Sequence, residues 1–266
     1  MVWFGKLLGG AFGFLLGGPL GAILGASVGH QFDKGAASLD VELGFNPGDQ
    51  QRVQMAFFTA TFSVMGHLAK ADGRVAPEEI SLANRVMDEM GLSGAMRSSA
   101  IALFQQGKSA DFPVDDVLAQ FRKECHRRRD LIRTFIEIQM QAALSDGELE
   151  ESEEALLLHI CGQLKVSRFD YERLKLQHQA QNRFYGQGKA YQQTKQHSEL
   201  KDAYAVLGLT PTASDAEVKK AYRRLMSQNH PDKLVAKGLP EEMMVLAKEK
   251  TQKISKAYEM IQKNRS

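Results

Sequence analysis

The sequence predicts an all-α protein with a single N-terminal transmembrane helix, a helical bundle in the middle and a helical domain at the C-terminus. Three observations predict it. Residues Leu7–Gly29 form a run of 23 without a charged side chain. From about Gln51 onward apolar residues recur at three- and four-residue spacing, and no run of alternating β-branched residues suggests a sheet. The basic charge collects at one end: residues 200–266 hold 13 Lys+Arg against 8 Asp+Glu, leaving 21 against 24 elsewhere. An acidic partner is therefore sought at the C-terminus.

The first element, residues 1–30, has glycine at every fourth position: Gly5, Gly9, Gly13, Gly17, Gly21, Gly25 and Gly29. In a water-soluble helix each would cost about 1 kcal/mol relative to alanine. In lipid the backbone is satisfied within the helix, so the cost falls. The uncharged run, as a helix, reaches about 35 Å and covers a hydrocarbon core of about 30 Å. The glycines form one slowly rotating stripe, which lets a second backbone approach closely, so a homodimer through this helix is expected. A cleaved signal peptide would have a shorter apolar region and a more charged start. Lys6 and Lys34 flank the two ends and give no orientation by charge. Residues 31–50, with Asn46-Pro47-Gly48, read as a juxtamembrane linker.

Residues 51–181 form the helical domain, with about seven helices. Val53, Phe57, Ala60, Val64 and Leu68 mark one buried face, and Leu131, Phe135, Ile138 and Ala142 another. Pro77-Glu78-Glu79 and Pro113-Val-Asp-Asp are helix starts, with proline in the first turn and acids at the positive dipole end. Cys125 and Cys161, the two cysteines, belong to no CxxC pair and read as buried free thiols. Leu68–Ile80 and Ala142–Ala155 share a layout: an apolar helix end, Asp-Gly (Asp72, Asp146), a short link and a Glu-Glu helix start. The acids admit two readings. Either Gly73 and Gly147 cap helices and the glutamates stabilise the next one, or Asp72, Glu79, Asp146 and Glu154 form a metal site. An EF-hand is excluded by the spacing. The duplicated layout resembles the TerB-like (tellurite-resistance) domain. That resemblance implies an all-helical unit in which the paired acids are a possible metal site.

Residues 182–199 are rich in glutamine and poor in aliphatic side chains, a composition that reads as a linker. The last domain, residues 200–266, is then expected to move relative to the middle one. In it a short helix ends at Gly208, and Ser214 with Glu217 forms a capping box that opens a helix to about Asn229. A third helix starts near Glu241. Asp202-x-Tyr-x-x-Leu-Gly-Leu, Ala216–Leu225, the tripeptide His230-Pro231-Asp232 and Ile254–Ile261 resemble the J-domain of the DnaJ (Hsp40) co-chaperones. Pro231 stiffens the loop and holds His230 extended, so the Asp232 carboxylate is offered at low ordering cost. Lys219, Lys220, Arg223 and Arg224 lie along one helical face and can steer an acidic surface. Tyr222 reads as either core or interface. No aromatic stacking platform accompanies the basic face, which argues against nucleic acid.

The J-domain resemblance implies a partner, Hsp70 (DnaK), whose ATPase is stimulated through His230, Pro231 and Asp232, with Lys219, Lys220, Tyr222, Arg223 and Arg224 in the contact. It implies no enzyme in this chain, which has no phosphate-binding glycine loop, and no cofactor. Neither a Gly/Phe-rich segment nor a four-CxxC zinc region follows the J-domain, unlike full DnaJ. The three parts together resemble the membrane-anchored DnaJ-like co-chaperones of Gram-negative bacteria. Because Hsp70 and ATP are cytosolic, the C-terminal domains are expected in the cytoplasm and the N-terminus in the periplasm. The competing reading is a metal-binding or metal-sensing membrane protein centred on residues 51–181, with an accessory J-domain.

Overall fold

The structure is a computed structural model that describes residues 18–23, 49–71, 84, 86–88, 90–144, 149–186 and 195–265. Among these residues it is helical throughout, as the periodicity predicts. The middle region contains α1 (Asp49–Ala69), α2 (Gly94–Gly107), α3 (Val114–Glu124), α4 (Arg129–Ala143), α5 (Glu151–Gln163) and α6 (Arg168–Gly186). The C-terminal region contains α7 (Lys195–Val206), α8 (Asp215–Asn229), the short α9 (Pro231–Ala236), a 3₁₀ turn (Glu241–Met243) and α10 (Met244–Arg265). Most of the predicted transmembrane helix, including Gly5, Gly9, Gly13, Gly17, Gly25 and Gly29, lies outside the described residues. Among the described residues no helix is long and apolar enough to cross a membrane. Of residues 18–23, Leu20 and Ile23 are buried, and the Leu20 amide donates to Gln120 Oε1 at 2.8 Å.

Helix α1 is the centre of the bundle. From Val53 to Leu68 it is buried on nearly every side, beyond the single face that its spacing marks, because α2, α3, α4 and α5 all contact it. Phe57, Phe121 and Phe135 bring α1, α3 and α4 together, with ring centroids 4.6–6.5 Å apart. Such rings supply much of the apolar burial and also fix geometry. Helices α1 and α4 end at Ala69 and Ala143, each three residues before the aspartate of an Asp-Gly pair, in line with the internal echo. Pro113 is the N-cap of α3, with Asp115 and Asp116 in the first turn. Cys125 and Cys161 are buried free thiols, each pushed up to about 12 by burial.

The two regions pack against each other around the glutamine-rich stretch that the composition reads as a linker. Helix α6 reaches Gly186 and α7 begins at Lys195, so both ends of that stretch are helical. Helix α6 also serves two cores. Tyr171 and Leu174 are buried with the middle bundle. Ala180 is buried with Tyr204, Leu207, Leu225 and Ile261 of the C-terminal region, and Phe184 packs against that cluster. On the other side, Leu234, Leu239 and Met243 leave the C-terminal core and are buried in the middle one. Each such side chain contributes about 1.5–3 kcal/mol by leaving water.

Polar contacts fix the register of this junction. Lys250 pairs with Glu137, and Lys237 with Asp130. Arg133 donates to Gln228 Oε1 at 2.8 Å and to Gln177 Oε1 at 3.3 Å. Arg183 donates to Asp202 at 3.0 Å. The Lys250 and Glu137 side chains are only 20% and 18% exposed. Burial pushes Glu137 up, but Lys250 and Arg133 together outweigh it and hold the carboxyl below its ordinary range. Gly238 has φ +107°, and a Cβ there would stand 2.6 Å from Val53 Cγ1 of α1.

Two substitutions test whether this junction carries stability. Lys250→Met leaves Glu137 with Arg133 alone and is expected to cost about 2 kcal/mol, less than for a fully buried pair because some exposure remains. Gly238→Ala adds both backbone strain and a collision with Val53, and is expected to cost at least about 1 kcal/mol. Urea unfolding of the purified chain in detergent measures both. Wild-type midpoints in the two variants would mean that the junction contributes nothing.

Candidate partner-docking site

The C-terminal region builds one solvent-facing loop on a locked frame. Helix α7 ends at Gly208, whose amide donates to Ala205 O at 2.8 Å while Leu209 N donates to Tyr204 O at 2.9 Å. This is the left-handed stop that glycine permits, with φ +70°. The predicted capping box opens α8: Ser214 Oγ accepts from the Glu217 amide, and Glu217 accepts from the Ser214 amide at 2.7 Å. Helix α8 ends at Asn229, which is 3% exposed and donates its side-chain amide to Leu225 O at 2.8 Å.

His230 then leaves the helix with φ −62° and ψ 126°, the extended conformation that the following proline imposes. Pro231 is the first residue of α9, where its missing N–H costs nothing. The sequence analysis predicts no helix between Asn229 and Glu241, and the structure places the short α9 there. A proline at the first helical position, with Asp232 in the first turn, was the available signal. The Leu234 amide donates back to His230 O at 3.0 Å, and Lys233 Nζ donates to Ser227 Oγ at 2.7 Å. Leu234 itself is buried in the middle bundle. The loop backbone is thus fixed from behind, while its side chains point outward. Asp232 is 85% exposed and His230 48%, with Nδ1 to Oδ2 at 4.0 Å.

Beside the loop, Lys219, Lys220, Arg223 and Arg224 are exposed on α8. Tyr222 is half-buried and stacks on Tyr258 of α10, with centroids 4.2 Å apart and planes at 17°. Tyr204, Leu207, Leu225, Ala257 and Ile261 are core, as predicted, and Tyr258 is partly buried against them.

The second candidate site is in the middle region. Glu153 completes a capping box with Glu150 at the start of α5, the helix-stabilising role that the sequence allows it. Glu154 pairs with Lys175 and accepts from the Tyr171 hydroxyl at 3.3 Å. Lys175 and then that hydroxyl hold the Glu154 carboxyl below its ordinary range, against the opposing effect of burial. Asp72, Glu79 and Asp146 lie outside the described residues. Among the described residues no group of three His, Cys, Asp or Glu is placed to hold a metal ion.

A capped α8, an outward His230-Pro231-Asp232 loop and a long returning α10 define a J-domain protein. Residues 202–266 match the family described as "DnaJ domain", residues 58–176 "Tellurite resistance protein TerB", and residues 1–39 "Co-chaperone DjlA transmembrane domain". The chain is 46% identical to a protein of Coxiella burnetii called "Co-chaperone protein DjlA", over the whole of this chain and 99% of that one. It is 46% identical to the protein of that name from Vibrio parahaemolyticus, over 98% and 97% of the two chains. It is 44% identical to that from Escherichia coli K12, over 90% and 89%. The chain belongs to the DjlA family of co-chaperones, with a transmembrane domain at its N-terminus, and is not an enzyme. No solved structure matches it.

A cleft opens behind the docking loop, between α4, α6 and α10, lined by Glu137, His178, Asn229 and Lys250 among others. Burial pushes His178 down to about 4, helped by Lys250 and opposed by Glu137. A histidine kept neutral in the fold contributes stability above its ordinary value near 6.5 and loses that contribution as pH falls toward about 4. The urea midpoint of the chain is therefore expected to fall between pH 6.5 and about 4, with part of the slope removed in His178→Gln. An identical slope in the variant would show that His178 is not the group that titrates.

Proposed function

We propose that this chain recruits Hsp70 to the bacterial inner membrane and stimulates its ATPase through His230, Pro231 and Asp232. Lys219, Lys220, Arg223 and Arg224 steer the acidic partner, and Tyr222 supports that face by its stack on Tyr258. The observation that carries this reading is the loop itself, which has a backbone fixed by Pro231 and the buried Leu234 beneath an Asp232 side chain that is 85% exposed. A carboxylate held this way suits a bidentate hydrogen bond from a partner arginine, at little ordering cost. Hsp70 and ATP reside in the cytosol, so the C-terminal domains face the cytoplasm and the N-terminus the periplasm. Residues 1–30 are the transmembrane helix, 31–50 the juxtamembrane linker, 51–181 the TerB-like domain that selects the client, 182–199 the connection and 200–266 the J-domain.

His230→Gln and Asp232→Asn are each expected to abolish stimulation of single-turnover ATP hydrolysis by Hsp70 while leaving the helical content unchanged by circular dichroism. Stimulation by both variants at the wild-type level would refute the mechanism.

The glycine stripe supports a homodimer within the membrane, since its only evident use in a single span is close backbone contact. Gly13→Leu with Gly17→Leu keeps the segment apolar and is expected to weaken self-association in a membrane two-hybrid assay. Leu15→Ala with Leu16→Ala is expected to do less. Equal association in the glycine variant and the wild type would assign the stripe to another role.

A further inference from the structure

The two most exposed large apolar side chains among the described residues are Phe169 and Leu176, at 76% and 61%. They are seven residues apart on α6, two turns along one face. Scattered exposed apolar residues need no explanation, but a paired stripe on a well-packed helix leaves apolar surface in water with no folding benefit. Arg173 lies between them on the same face, four residues from one and three from the other.

The position of this stripe is set by Arg133. Its guanidinium donates both to Gln177 of α6 and to Gln228 of α8, so one side chain of α4 links those two positions. One turn earlier on each helix stand Arg173 and Arg224. Burial, followed by the charges of Arg173 and Arg133, lowers the Arg224 pKa, as expected for neighbours. Asp170 pairs with Arg173 at 2.7 Å, and Glu172 lies 3.8 Å from Arg168, so those two arginines are locally balanced. Arg224 makes no ion pair among the described residues, and it belongs to the basic face beside the docking loop. Through Arg173 and the Arg133 link, the stripe thus adjoins that face at the domain junction.

We propose that Phe169 and Leu176, with Arg173 between them, extend the α8 docking face onto the TerB-like domain and contact the same Hsp70 that the His230-Pro231-Asp232 loop engages. The inference rests on the Hsp70 reading above. The occupant follows from continuity and charge: an acidic surface with apolar side chains beside it matches a stripe whose uncompensated neighbour is Arg224. In this arrangement the TerB-like domain is part of the co-chaperone's docking surface as well as its support.

The test uses the full chain in detergent micelles and Hsp70 single-turnover ATPase, titrated to give a half-maximal concentration and a plateau. Phe169→Ser with Leu176→Ser is expected to raise the half-maximal concentration about tenfold, with the effect on affinity rather than on the plateau. Arg173→Ala is expected to raise it about threefold and to steepen its dependence on salt less than the wild type does. Both changes are on exposed side chains. If the double variant melts at a lower temperature, Phe169→Ala alone replaces it, with about a threefold rise expected. Wild-type half-maximal concentrations in all these variants, alongside a wild-type chain that stimulates and a His230→Gln chain that does not, would overturn the extended face and leave the loop's role intact. Failure of the wild-type chain to stimulate would overturn both. A fall in sedimentation mass with no change in half-maximal concentration would identify the stripe as a contact between copies of this chain and overturn the proposal.

Discussion

Helix α6 belongs to two hydrophobic cores, and the arrangement of the TerB-like and J-domains depends on that fact. Tyr171 and Leu174 are buried with the TerB-like bundle, and about two and a half turns on from Tyr171 Ala180 is buried with the J-domain. A single helix cannot be in both cores unless their relative position is set, because a helix of this length does not bend without proline or a comparable cause. The sharing is returned from the other side, where Leu234, Leu239 and Met243 of the J-domain enter the TerB-like core.

This exchange explains why the His230-Pro231-Asp232 loop can be both exposed and stiff. The outward-pointing residues, His230 and Asp232, flank a proline, and the next inward-pointing residue, Leu234, is an anchor in a neighbouring domain. Order in the loop is thus supplied by burial that lies outside the J-domain's own small core. A J-domain of this length has limited apolar surface to bury, and adjoining a larger bundle relieves that limit. The Lys250–Glu137 pair adds register more than net energy, since the desolvation of buried charges offsets much of their attraction.

Much of this was legible in the sequence, for identifiable reasons. Helix boundaries at Gly208, Ser214 and Asn229 follow from local chemistry, namely a left-handed cap, a capping box and a proline two residues on, and the structure agrees. The J-domain was legible because the tripeptide and its flanking helices form one pattern. The junction was not legible. Glutamine-rich composition from residue 182 suggests a free linker, yet Arg183 is tied to Asp202 and Phe184 packs against the C-terminal core. Composition reports the average solubility of a stretch and not the partners that its polar groups find across space. Lys250 carried a usable signal: it interrupts the apolar series Ala247, Ile254, Ala257 and Ile261 on α10, as a charge that needs a partner does. Phe169 and Leu176 carried none, because exposure of an apolar residue is set by what the fold leaves uncovered.

The central claim is that the TerB-like domain and the J-domain open as one unit. Native-state hydrogen exchange of the full chain, resolved to the amides of α4 and α10, tests it most directly, because amides that share an opening reaction share its free energy. The account predicts that the slowest amides of α10 around Ile254 exchange with the same free energy and the same urea dependence as those of α4 around Phe135. A separate, lower-energy opening of α10 and α8 that leaves α4 protected would contradict it.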